Sequence, residues 1–169
     1  MKIAVRNWLI INAGIALLPG VSFLISGCQL KMVDAIQVNK SPYDVINYVS
    51  DLRNELQWNP DIQFVEKKSA GPIGIGTVFS AKWRKSDTLD VTIQQYYPPY
   101  SVTFENTGPL HVTRVLQLSK IGEQTQLESS ITATPHGFRR ILFPVLKSRL
   151  KAREKERMIN LKKGLDSNG

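Results

Sequence analysis

Between residues 62 and 134, turn signals recur roughly every ten to twelve residues, and then they stop. Gly71-Pro72 through Gly76, Ser86-Asp87, Pro98-Pro99, Gly108-Pro109 and Ile121-Gly122-Glu123 each interrupt a short run of alternating residues. Phe79, Ala81 and Trp83 alternate with Ser80, Lys82 and Arg84, and Leu89, Val91 and Ile93 alternate with Asp90, Thr92 and Gln94. That rhythm belongs to an antiparallel meander. It predicts strands over 62–68, 77–85, 89–97, 100–106, 111–118 and 126–134. After Pro135-His136-Gly137 the period changes: Ile141, Leu142, Val145, Leu146, Arg149 and Leu150 recur at helical spacing, and the pattern continues to Leu165. Pro144 should kink this helix or mark where a short helix meets a long one. Ahead of the meander, 31–39 reads as a strand. Ser41-Pro42-Tyr43-Asp44 then opens a helix with a capping serine, a proline at the first helical position and an acid at N3. A second short helix runs to Trp58 and is closed by Asn59-Pro60. One strand, two short helices, a meander of about six strands and a long last helix define an α+β chain with a single curved sheet.

Composition bounds what holds such a fold together. The chain has 169 residues, 42% apolar and 21% charged, which fits one globular domain plus a short segment. Its one cysteine, Cys28, cannot form an internal disulfide, so packing must hold the fold. His111 and His136 have no partners at metal-ligand spacing; neither a metal nor a cofactor is expected, and the domain should be a monomer.

The first thirty residues read differently. Lys2 and Arg6 precede an uncharged, mostly apolar run from Trp8 to Ile25, the pattern of an export signal. Asn12 and Pro19-Gly20 make it a poor membrane-spanning helix. Ile25-Ser26-Gly27-Cys28 resembles the lipobox of bacterial lipoproteins, which implies cleavage before Cys28 and acylation of its thiol. The expectation is a targeting segment over 1–27, a domain over 28–166 and a tail over 167–169, lipid-anchored outside the cytoplasm. An uncleaved anchor or a plain secretory signal is the alternative. Translation from Met32 would instead leave a cytoplasmic protein.

Several short motifs carry a wider resemblance. Ser41-Pro42 followed by Val45, Val49-Ser50-Asp51, Trp58-Asn59-Pro60, Gly74-Ile75-Gly76-Thr77, Tyr97-Pro98-Pro99-Tyr100 and Phe143-Pro144-Val145-Leu146 occur in order. Over roughly 32–165 the chain resembles the START-like (SRPBCC) superfamily of polyketide cyclase/dehydrase and lipid-transport domains. The resemblance implies a helix-grip fold, a bent antiparallel sheet of about six to seven strands wrapped around the last helix. It also implies a cavity for a small hydrophobic ligand or lipid. By alternation Phe79, Trp83, Val91, Ile93, Phe104, Leu116 and Ile131 should face inward, with Trp58 and Phe64 near the cavity mouth. For any one of these, ordinary core is the more common explanation, because inward apolar residues usually just pack.

Little in the sequence does chemistry. His111 and His136 read as turn residues, there is no nucleophile elbow, and Gly71 to Gly76 lacks the lysine and helix of a phosphate loop. Arg114 alternates with Val112 and Leu116; facing inward it would bind a ligand carboxylate or phosphate, and otherwise it points outward or pairs with Glu128. A ligand carrier at a membrane surface is therefore the leading expectation. A cyclase- or dehydratase-like enzyme and a protein-interaction module are the alternatives. Charge is concentrated at the end of the chain: residues 138–165 hold ten Lys or Arg against Glu154 and Glu156, which matches the +8 of the whole sequence. Lys147, Lys151 and Lys155 share a helical face and would meet anionic lipid, unless that face is simply solvated. Nucleic acid is disfavoured, because only Phe138 and Phe143 are available there to stack on bases.

Overall fold

The computed structural model describes residues 29–167 apart from Lys85, Thr107 and Phe138, and apart from the side chains of 139–142 and Leu146. The targeting segment expected over 1–27 and the acylation expected at Cys28 lie outside the described residues.

Strand β1 (Leu30–Val38) is followed by helix α1 (Pro42–Ser50), a 3-10 turn (Leu52–Asn54) and the short helix α2 (Glu55–Trp58). Six strands follow: β2 (Ile62–Lys67), β3 (Val78–Trp83), β4 (Thr88–Tyr97), β5 (Ser101–Asn106), β6 (Leu110–Ile121) and β7 (Gln124–Pro135). Helix α3 (Arg139–Ser167) ends the fold. All neighbours pair antiparallel in one seven-stranded sheet of order β1-β7-β6-β5-β4-β3-β2. This is the helix-grip architecture.

Local chemistry explains the element ends. Ser41 caps α1 by accepting the Asp44 N–H at 3.2 Å, while its hydroxyl donates to the Asp44 carboxylate at 2.7 Å. Strands β6 and β7 meet closer to their turn than alternation predicts, because Ser119, Lys120, Gln124 and Thr125 show no apolar signal. Only Gly122 and Glu123 separate the paired Ile121 and Gln124, and Gly122 takes a φ of 59° that suits glycine in a two-residue hairpin. Helix α3 runs as one element through Pro144, so no helix junction falls there; the proline's missing N–H removes one intrahelical bond. Among the described residues no helix is long and apolar enough to cross a membrane.

The core is divided. The larger cluster joins Val38, Ile46, Phe79, Ile93, Val102, Leu116 and Leu127 to Met158, Leu161 and Leu165 of α3. A small one joins Leu30, Ala133 and Phe143, with Met32, Leu110, Val112 and Leu150 packed against it. At the larger cluster α3 comes close to α2: a Cβ on Gly164 would stand 3.1 Å from the Trp58 Cβ.

Candidate functional site

Between the two clusters the sheet and α3 do not close. A cavity of about 570 Å³ lies there. Met32, Val112, Ile131, Ala133 and Leu150 form apolar walls from β1, β6, β7 and α3. Asn59, Pro60, Asp61, Trp83, Arg84, Ser86, Asp87, Asn106 and Pro109, from the connections at its rim, surround it, and Arg153, Glu156 and Asn160 of α3 border it.

The inner wall is ionic. Arg114 on β6 donates from Nη2 to both carboxylate oxygens of Glu154 on α3, at 2.9 and 2.7 Å. Its Nη1 lies 3.7 Å from a Glu55 carboxylate oxygen on α2. Arg157 donates to the same Glu55 oxygen and stands 4.0 Å from Glu154. Ser129 donates to Glu154 at 3.2 Å, and Asn59 donates to Glu55 at 3.0 Å. Two arginines and two glutamates thus form a closed, charge-neutral quartet. Burial pushes the Arg114 pKa below its ordinary value, the positive Arg157 adds to the shift, and Glu154 and Glu55 oppose it. The guanidinium stays cationic because its intrinsic pKa is so high. The Arg157 guanidinium also lies 5.7 Å from the centre of the Trp58 ring. Among the described residues two donors are left over: Trp58 Nε1 and Arg157 Nε are buried without an acceptor. Such orphans are rare in folded proteins and need an explanation.

The sequence-derived site residues fall into four groups. Trp83, Arg114 and Ile131 line the cavity. Trp58, Phe104 and Leu116 line a small space of about 20 Å³ behind the quartet, shared with Arg114 and Arg157. Val91 lines a recess of about 70 Å³ with Phe104, Trp83 and Arg114. Phe79 and Ile93 sit fully buried in the larger cluster and line none of these spaces. Phe64 is 43% exposed and lines none of them either. The register shift between Ile62 and Phe64 gives the inward position to Val65 instead. Arg114 does not pair with Glu128: its cross-strand partner is Ile131, whereas Glu128 stands opposite Gln117 and Ala35.

Sequence reasoning missed Glu55, Glu154 and Arg157. A signal for Glu154 existed. It stands four residues after Leu150 and four before Met158, within the apolar stripe of α3. An acid in that stripe facing an inward arginine is a pair waiting to be read. Lys151 and Lys155 are exposed, whereas Lys147 is half-buried with its Nζ 5.8 Å from the centre of the Phe143 ring. His111 Nε2 and a Glu105 carboxylate oxygen are 2.6 Å apart, and the His111 ring stacks on His136 with centroids 6.2 Å apart. Among the described residues no group of three or more His, Cys, Asp or Glu could hold a metal ion.

No protein-family model and no curated protein matches the sequence. Solved structures do. The di-domain ARO/CYC StfQ from the steffimycin biosynthetic pathway superposes with a TM-score of 0.66 at 14% identity, over 83% of this chain and 51% of StfQ. The KanY protein, solved by NMR, superposes with a TM-score of 0.63 at 19% identity, over 81% of this chain and 97% of KanY. Ara h 8.0201 gives a TM-score of 0.52 at 14% identity, over 79% of this chain and 98% of Ara h 8.0201. The chain spans about half the length of the di-domain proteins StfQ and BexL, 51% and 57% respectively. At these identities the likeness establishes the helix-grip fold and not an activity.

Proposed function

We propose that this domain binds, and carries, a small amphipathic molecule between α3 and the sheet, at a membrane surface to which its N-terminal segment holds it. The cavity of about 570 Å³ carries the reading, since small-molecule sites span roughly 300–1,000 Å³ and combine apolar walls with a few convergent polar groups. The quartet shapes the ligand's polar end. Its charges already cancel, so the inner wall offers a ligand carboxylate no unpaired cation, and the other arginines, Arg84 and Arg153, stand at the cavity's border. The orphan Nε–H of Arg157, which borders the cavity, asks instead for a neutral acceptor oxygen. Attachment is supported by the apolar run from Trp8 to Ile25 and by Cys28, which only Gln29 separates from the buried Leu30.

A cyclase- or dehydratase-like enzyme is the competing reading. Its support is Glu154, an acid at the inner wall beside Ser129, and the fold shared with StfQ and BexL, which come from the steffimycin and BE-7585A biosynthetic pathways. Carriage is preferred because both Glu154 oxygens are already engaged by Arg114, and one of them also by Ser129, so the acid is held as an ion-pair partner inside the quartet.

The test is native mass spectrometry of the full chain extracted in mild detergent, alongside uptake of a fluorescent long-chain methyl ketone and the matching fatty acid. A lipid-sized adduct, with tighter uptake of the ketone, is expected. Absence of both adduct and probe uptake would refute the carrier reading.

A further inference from the structure

Helix α3 lies beside β1 and runs in the same sense. Leu30 packs with Phe143 at one end, and at the other Lys162 Nζ donates to the Gln37 carbonyl. The chain therefore joins the domain next to the first turns of α3. Any membrane attachment through residues 1–28 acts at that end.

The outward side of the helix has its own pattern. Each residue of an α-helix turns by about 100°. Phe143, Glu154, Met158, Leu161 and Leu165 consequently share the buried side. Val145, Ala152 and Ile159, seven residues apart, form one line on the opposite side. All three are exposed, Val145 at 71% and Ile159 at 47%. Exposed Arg149 and Lys155 flank the line, exposed Lys151 stands farther round beside the buried side, and the exposed acid Glu156 lies between the line and Arg149. Leu150, Arg153, Arg157 and Asn160 occupy the sector between this line and the buried side, and there they line the cavity.

We infer that the outward face of α3 lies flat on an anionic phospholipid surface, with Val145, Ala152 and Ile159 set at the acyl boundary and Arg149, Lys151 and Lys155 on the phosphates. Three observations point to lipid. A line of apolar residues with basic flanks is the pattern of a helix lying in the membrane interface. The flanking charge is opposite to that of the phosphates and gains from a negative leaflet. The attached end of the chain emerges beside the same helix. The inference rests on the membrane-attached part of the proposed function and is independent of the ligand.

The experiment uses the full chain with Cys28→Ser, so that one added cysteine is the sole thiol. Val145→Cys, Ile159→Cys and, as a control on exposed β1, Val33→Cys are each labelled with an environment-sensitive NBD dye. Each protein is mixed with vesicles of phosphatidylcholine alone or with added phosphatidylglycerol. Labels at 145 and 159 should brighten severalfold and shift to the blue on anionic vesicles, while the label at 33 stays unchanged. Lys151→Glu with Lys155→Glu should abolish that response. Labels at 145 and 159 that stay as dim as the one at 33 overturn the docking. So does brightening that follows protein concentration without lipid, which would make the face a contact with a second copy of this chain. Co-sedimentation of the unsubstituted chain, with Cys28 retained, separates the two readings: a chain that sediments with pure phosphatidylcholine while the label at position 145 stays dim on anionic vesicles keeps the attachment and loses the docking. A chain that fails to sediment with phosphatidylcholine but brightens on anionic vesicles loses the attachment and keeps the docking.

Discussion

The two halves of α3 face the same sheet and do opposite things with it. The C-terminal half buries Met158, Leu161 and Leu165 against Val38, Ile46 and Leu127, and the close approach at Gly164 lets Trp58 rest on the helix. The first half buries Phe143 near its start, and beyond it the half-buried Leu150 packs against the cluster of Leu30, Ala133 and Phe143 at the edge of the cavity. The quartet of Arg114, Glu154, Glu55 and Arg157 stands at the border. Buried ion pairs are poor stabilisers compared with well-packed apolar side chains. A polar wall placed where packing ends therefore makes more sense as a surface presented to a ligand than as a contribution to stability.

The sharpest way to break this contrast is to remove one member of the border. Arg114→Ala would leave Glu154 buried with its main partner gone and should cost about 3–5 kcal/mol. Arg114→Met combined with Glu154→Leu removes both charges and leaves Arg157 paired with Glu55. That double variant should be neutral or more stable, by up to roughly 4 kcal/mol, because packing replaces a desolvated pair. Denaturant unfolding of the three proteins measures both. A double variant as unstable as Arg114→Ala would make the quartet a structural keystone and weaken its reading as a ligand wall.

Truncation on each half gives the next largest contrast. Leu161→Ala, in the filled half, should lose about 2–5 kcal/mol, as large-to-small changes do when a closed void is created. Leu150→Ala trims a side chain that already borders open space, so it should lose less than about 1 kcal/mol by the same reasoning. Equal losses would mean that the first half is packed in solution, with no standing cavity.

Much of this was legible in the sequence, and the failures are informative. The meander, the capped α1 and the long last helix follow from periods and turn residues, which act locally. The inward direction of Arg114 follows from its alternation with Val112 and Leu116. What alternation cannot supply is depth. Phe79, Ala81 and Trp83 point the same way along β3, yet Phe79 and Ala81 are fully buried in the larger cluster and Trp83 lines the cavity. The division depends on which part of α3 lies opposite, and that is set by pairings distant in sequence. Phe64 failed for a local reason, a register shift in β2 that carries no turn residue. Glu154 was missed because it lies within a strongly basic stretch, although its position in the apolar stripe marks it as buried.

The finest contrast adds volume to each half in turn. Ala81 is fully buried on β3 in the filled half, and Ala133 on β7 is buried with its face on the cavity. Phenylalanine at Ala81 must displace Phe79 or its neighbours, because a close-packed core has no space for a ring, and overpacking costs about 1–3 kcal/mol. The same ring at Ala133 can extend into about 570 Å³ of open space. Ala133→Phe should therefore leave Tm almost unchanged while uptake of the methyl ketone probe falls strongly. Ala81→Phe should lower Tm and leave the affinity of the remaining folded protein intact. Thermal unfolding and probe titration on both variants read the two quantities separately. If Ala133→Phe lowers Tm as much as Ala81→Phe does and probe uptake is unaffected, then the ligand does not sit beside β7, and the division of α3 into a packing half and a binding half fails.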